Sequence, residues 1–111
     1  MNQLRISYRN LEEGVLNSYV SLEEQVEKKC KSAFDRFIHL IKEIFVVVQD
    51  QNGPRGGLDK RCTVQLRLNP RGLIVIRADD ANALNAIGDA ISKAKQALTR
   101  RNEKLKEFRT R

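Results

Sequence analysis

The chain contains no tryptophan, one histidine, one methionine, two prolines and two cysteines. Each scarcity narrows the chemistry open to it. Two cysteines, Cys30 and Cys62, cannot build the disulfide framework of a small secreted domain, and neither belongs to a CxxC pair. Both fall on apolar positions of periodic segments, so packed free thiols are expected. The lone histidine, His39, stands at a helix end before a strand, where it serves as a dipole partner or a surface residue. With so few ligands a metal site has no support. No nucleophile–base–orienter set is recognisable, so no catalytic residue, cofactor or small-molecule substrate is expected. Long apolar runs are missing too. The longest, Ile44-Phe45-Val46-Val47-Val48, is strand length, far short of the ~18–20 residues that cross a bilayer. Met1-Asn2-Gln3-Leu4-Arg5 has no apolar core of a secretory signal. A soluble cytoplasmic protein without a membrane partner is the expectation. Acid is also short: 14 Asp and Glu stand against 21 Lys and Arg, a net charge of +7. That balance points to a polyanionic partner, nucleic acid first. The length, 111 residues, suits one domain, 1–111, with its own core.

What is present is mostly periodicity. From Lys60 to Leu68 every second residue is apolar (Cys62, Val64, Leu66, Leu68), and basic or polar residues (Arg61, Thr63, Gln65, Arg67) stand between. Such alternation marks a strand with one face in a core and one in water. Gln3 to Arg9 alternates in the same way. Lys42 to Gln49 reads as a central strand and Leu73 to Ala78 as a fourth. Asn69-Pro70-Arg71-Gly72 is a turn that joins strands three and four in an antiparallel hairpin. Asp50 to Asp59 holds Pro54 and three glycines and reads as a loop. Steps of three and four in Leu22, Val26, Cys30, Ala33, Phe34, Phe37 and Ile38 predict an amphipathic helix over roughly 18–39, with Ser21 and Glu24 spaced as a capping box. A second helix, capped by Asp79 or Asp80, buries Ala83 or Leu84, Ile87, Ala90, Ile91, Ala94 and Leu98 and runs to about Lys104. The order is β-α-β-β-β-α. Two helices cover one face of a four-stranded sheet, and a right-handed crossover makes strands one and two parallel. The fold class is α+β, with a mixed sheet open on its other face.

The last helix, with Ala86-Ile87, Ile91, Lys93, Leu98 and a basic tail through Arg100, Arg101 and Lys104, resembles that of the ribosome hibernation promoting factor and ribosome-associated inhibitor family. The loop Asp50-x-Asn52-Gly53-x-x-Gly56-Gly57-x-Asp59-Lys60-Arg61-Cys62 resembles that of short, ribosome-associated members. The resemblance implies a non-enzymatic translation regulator. Such proteins bind the small ribosomal subunit in the channel of mRNA and tRNA and inactivate or protect ribosomes under stress. Leu84 departs from the family's usual tyrosine at the start of this helix, and a short form with neither a dimerisation domain nor a long acidic tail is expected.

Candidate RNA-binding residues follow from charge. Lys93, Lys95, Arg100, Arg101 and Lys104 lead, because helix-dipole compensation accounts for only two or three of the eight cations from Lys93 to Arg111. On the first helix Lys28 and Lys31 are candidates, beside Lys29 and Arg36. Glu24–Lys28 and Glu27–Lys31 have the spacing of self-neutralising pairs, however. Arg55 and Lys60 belong to the glycine-rich loop and its exit, which lacks the Gly-Lys-Ser/Thr ending of a P-loop. Arg61 and Arg67 share the open sheet face with Arg5, Arg9 and Arg77. No acid is aligned with them and no aromatic interleaves, so backbone contacts are expected there rather than base stacking. The competing reading is a small regulatory module whose protein partner docks on that open face.

Overall fold

Strand alternation and helix periodicity are both realised in the structure, a computed structural model that describes residues 4–9, 19–50 and 60–109. Side chains at 7–9, 19–22 and 105–109 lie outside the described part, as do the expected loop 51–59, Arg55 and Asp59. The elements are β1 (Leu4–Arg9), α1 (Tyr19–Phe34), a 3₁₀ segment (Asp35–Leu40), β2 (Ile41–Asp50), β3 (Lys60–Leu68), β4 (Leu73–Asp80) and α2 (Ala83–Arg109). The sheet order is β1-β2-β3-β4. β1 runs parallel to β2, and the other two pairings are antiparallel. This is the expected α+β fold with a mixed sheet.

In β3 the alternation translates directly: Cys62, Val64, Leu66 and Leu68 are buried, and Arg67 is exposed. They join Ile44, Val46 and Val48 of β2 and, from the helices, Val26, Cys30, Phe34, Ile87, Ile91 and Leu98 in one core. Each fully buried side chain of this size contributes about 1.5–3 kcal/mol. Leu4 and Ile6, expected to be buried, are half-buried. β1 is an edge strand, so its side chains have a neighbouring strand on one side only.

Three local expectations are corrected. The first helix does not run to 39 as one α-helix: it tightens at Phe34 into the 3₁₀ segment. Three residues per turn put i and i+3 in one column, and Phe34 and Phe37 are both buried there. Among the described residues the first helix already runs from Tyr19, so Ser21 lies inside it rather than at a cap, and the serine side chain is outside the described part. The second helix is capped by Asn82, not by Asp79 or Asp80. Asn82 Oδ1 accepts from the amides of Leu84 (2.8 Å) and Asn85 (3.2 Å). β4 keeps the two aspartates in register with Arg61 and Lys60, so the chain is free to turn only after them. Asp80 instead accepts from the Asn82 amide at 2.8 Å and so sets up the cap. A cap of this kind is worth about 1 kcal/mol.

The β3–β4 hairpin forms as expected, with a cis Asn69–Pro70 bond and Gly72 at φ +124. The Leu68 amide donates to the Gly72 carbonyl at 2.9 Å. Over this turn lies Arg101 of α2, donating to the Arg71 carbonyl at 3.3 Å.

Candidate nucleic-acid interface

α1 and α2 lie side by side on the sheet and leave a cleft of about 370 Å³ between them. The helical repeat decides what lines it. Lys28, Lys29 and Ser32 recur at one and four positions along α1, and Gly88, Ser92 and Lys95 at steps of four and three along α2. Ala33 and Ile91 form the apolar floor. Gly88 has no side chain to fill the space, and a Cβ there would meet none of the described residues within 4 Å. Three lysines and two serines therefore line one depression, with no carboxylate residue in its lining among the described residues.

The expected pairs Glu24–Lys28 and Glu27–Lys31 do not close to ion-pair distance among the described residues. The four side chains frame a shallow groove on the outer side of α1 instead. Lys31 belongs to that outer groove and not to the cleft, whereas Lys28 borders both.

The basic stretch of α2 is split by the helix itself. Lys93, Arg100 and Lys104 are exposed and recur at steps of seven and four, which places them on one flank. Lys95 is only two residues from Lys93, and so roughly 200° round the helix, on the cleft side. Arg101 is engaged with the hairpin turn rather than offered to solvent alone, its guanidinium packed over Gly72.

On the sheet, acids do align with the cations, against expectation. Arg61 grips Asp79 through two hydrogen bonds, Nε to Oδ1 at 2.8 Å and Nη2 to Oδ2 at 3.2 Å. The register sets the two residues directly opposite. The Arg61 hydrogen bond holds the Asp79 carboxyl below its ordinary range and the guanidinium above its own. Arg5 Nε stands 3.5 Å from Glu43. Lys60 Nζ is 3.3 Å from Asp50 Oδ2, with side chains only 14% and 1% exposed. Asp50 is the one buried charged residue among those described, and Lys60 serves to compensate it. Sequence alone hid these pairs because the acids sit on other strands. Arg67 and Arg77 are exposed and make no ion pair among the described residues.

An aromatic also stands on this face. Phe45, read as part of a central apolar strand, is register partner to Arg5 and Gln65 and is only half-buried. The residues missed by sequence reasoning are thus Ser32, Gly88 and Ser92 in the cleft and Phe45 on the sheet. The 3–4 spacing of Gly88, Ser92 and Lys95 was the signal that could have revealed the cleft.

Neither thiol takes part. Cys30 and Cys62 are free and fully buried. Burial pushes both up to about 12, helped at Cys30 by the Glu27 carboxylate and at Cys62 by Cys30. No cluster of three or more His, Cys, Asp or Glu side chains among the described residues is placed to hold a metal. No described helix is long and apolar enough to cross a membrane.

Comparison with known proteins gives the fold a lineage. The Thermus thermophilus Protein Y N-terminal domain superposes with a TM-score of 0.67 at 22% identity, over 88% of this chain and 97% of that one. A ribosomal subunit interface protein from Coxiella burnetii superposes with a TM-score of 0.70 at 14% identity, over 90% of this chain and 97% of that one. At these identities the likeness establishes the shared fold. No curated protein matches in sequence. The family model described as Sigma 54 modulation protein / S30EA ribosomal protein matches residues 15–106, most of the chain. The chain belongs to the Sigma 54 modulation protein / S30EA ribosomal protein family.

Proposed function

We propose that this protein is a non-enzymatic translation regulator of the cytoplasm that binds the small ribosomal subunit through rRNA phosphates. By filling the channel of mRNA and tRNA it inactivates or protects ribosomes under stress. Family membership supports a ribosomal association. The observation that carries the RNA contact is the cleft, where Lys28, Lys29 and Lys95 converge from two helices without a carboxylate among the described lining residues. Ammonium groups act as point charges for phosphate, and the serine hydroxyls supply neutral donors beside them. Lys93, Arg100 and Lys104 extend the contact along the outer flank of α2. The interaction is steeply salt-dependent, because each neutralised phosphate releases counterions. In this reading Arg101, Lys60 and Arg61 support the structure more than they touch RNA, given the partners each already has.

The test is co-sedimentation with small subunits across a salt series. A Lys28→Gln/Lys29→Gln/Lys95→Gln variant is expected to bind more weakly. Its plot of log affinity against log salt should be shallower by about 0.7–0.9 for each phosphate left without its lysine. Unchanged affinity and slope would remove the cleft from the interface.

A further inference from the structure

The cleft leaves the opposite side of the molecule unexplained. Among the described residues Leu73 and Val75 are the large apolar side chains left exposed, at 54% and 38%. Both belong to the open face of β4. Strand register puts Val75 in one cross-strand row with Gln65 and Phe45, and Leu73 beside Arg67 in the adjoining row. None of Phe45, Leu73 and Val75 joins the core formed by the described residues or packs against it. These side chains therefore do not stabilise the sheet–helix packing. Leu73 and Val75 thus leave apolar area on this face for a partner to cover.

Its rim identifies the occupant. Glu43 and Asp79, carboxylates of this face, are held by Arg5 and Arg61. Arg67 and Arg77 carry exposed guanidinium groups with no ion pair among the described residues. Among the described residues the face thus carries apolar side chains at Phe45, Leu73 and Val75, the polar Gln65 between Phe45 and Val75, and four guanidinium groups against two carboxylates, Glu43 being also the register partner of Arg67. A ligand that matches it is anionic and presents flat apolar faces. Unpaired nucleotides have both properties, whereas bases locked in a duplex have no free face to offer. Phe45 and Val75 are two strand spacings apart, about 10 Å, and Gln65 between them has an amide able to donate and accept at a base edge.

We infer that the open sheet face binds a short single-stranded stretch of RNA, its bases lying on the Phe45–Gln65–Val75 row and its phosphates on Arg67 and Arg77. This extends the ribosomal reading, since an unpaired stretch of rRNA would supply the strand, but it concerns a separate surface with a separate readout.

The experiment is a nuclear magnetic resonance titration of the full chain with hexauridylate RNA and, in parallel, with a blunt RNA duplex. Hexauridylate is expected to shift the backbone amides of Gln65, Arg67 and Val75, and the duplex is expected to leave them in place. Phe45→Leu keeps an apolar side chain but removes the stacking ring, and should weaken hexauridylate binding about fivefold or more. Arg67→Gln/Arg77→Gln is an exposed pair of changes that tests the same face if the Phe45 variant folds poorly, and it should weaken binding to a similar degree. In Lys28→Gln/Lys29→Gln/Lys95→Gln the sheet shifts should persist. Hexauridylate shifts confined to α1 and α2 would overturn the inference, and so would equal sheet shifts with the duplex. A protein occupant would show itself in the Arg67/Arg77 variant as lost subunit binding, with no sheet shifts from hexauridylate in the wild-type protein, and would also overturn it. If the wild-type chain fails to sediment with subunits while the sheet shifts are observed, the ribosomal reading falls and this one stands.

Discussion

Gly72 shows how much a single residue can decide. Its φ of +124 is closed to L side chains, and a Cβ there would lie 2.5 Å from Arg101 Nη2. The arginine's far end can swing away, but the backbone strain cannot be relieved so easily. Gly72→Ala should therefore destabilise the fold by about 1–3 kcal/mol, read from the urea midpoint. Arg101→Gln should cost no more than about 1 kcal/mol, since it removes one exposed hydrogen bond. Equal losses in the two variants would mean that the arginine's packing, not the backbone, matters. The cysteines make a different residue-scale prediction. Both thiols are raised to about 12 in the folded protein, against about 8.5 in an unfolded chain. Between these values the unfolded state loses protons that the folded state keeps, so stability falls as pH rises. It is fully present below about pH 8.5 and is lost progressively towards pH 12, by up to about 1.4 kcal/mol per pH unit for each thiol. Denaturation of wild-type protein and of Cys30→Ala/Cys62→Ala between pH 8 and 11 measures this. The variant should start lower at neutral pH, because it leaves cavities, and decline less steeply. Parallel declines would contradict the buried-thiol account.

At the scale of elements, α2 carries two roles on two sides. Its stripe of Ile87, Ile91 and Leu98 holds it to the sheet, and its flanks carry the cations. Gly88 sits in the helix interior at the cleft, where none of the described residues packs on it. Glycine in a helix interior costs about 0.8–1.0 kcal/mol relative to alanine. Gly88→Ala should raise thermal stability by up to that amount, while its methyl group makes the cleft shallower. If the cleft takes phosphate groups deeply, this variant becomes more stable and binds subunits less well. Stabilisation without any change in co-sedimentation would mean that the lysines work from the rim. A loss of stability would mean that the added methyl group meets a neighbour.

At the scale of the molecule, cations are sorted by face. The helix layer presents Lys28, Lys29 and Lys95 at its cleft and Lys93, Arg100 and Lys104 along an outer flank. The sheet presents Arg67 and Arg77. The two helix-layer groups face different sides of α2, Lys93 and Lys95 being roughly 200° apart round the helix, so if they meet separate phosphates their contributions should be nearly additive. Lys93→Gln/Arg100→Gln/Lys104→Gln should flatten the salt slope of subunit binding by about 0.7–0.9 for each phosphate no longer neutralised, with an unchanged circular dichroism spectrum. Combining it with the cleft variant should add the two changes in slope. A combined variant no worse than either triple alone would mean that the two groups compete for one phosphate track.

Periodicity in the chain determined the order of elements and the one-sided core, and the β-α-β order in turn gave the parallel start of the sheet. These depend on local spacing: period two in Cys62, Val64, Leu66 and Leu68, and steps of three and four in Ile87, Ile91 and Leu98. Family resemblance in α2 and around Lys60-Arg61-Cys62 was likewise legible, because it rests on residue order. The helix boundaries were not, since burial of Phe37 drew the end of α1 into a 3₁₀ turn and the β4 ladder moved the cap to Asn82. Charge partners were hidden for a stronger reason. Arg61 and Asp79 are 18 residues apart, and only the antiparallel register sets them side by side. The same register brings Phe45, Gln65 and Val75 into one row on the open face, and helix packing brings Lys28 and Lys95 to one cleft. A sequence specifies which residues are charged or apolar and with what period. Which of those charges are neutralised, and which are left facing a partner, is a matter of distances across strands and between helices, and those exist only once the chain has folded.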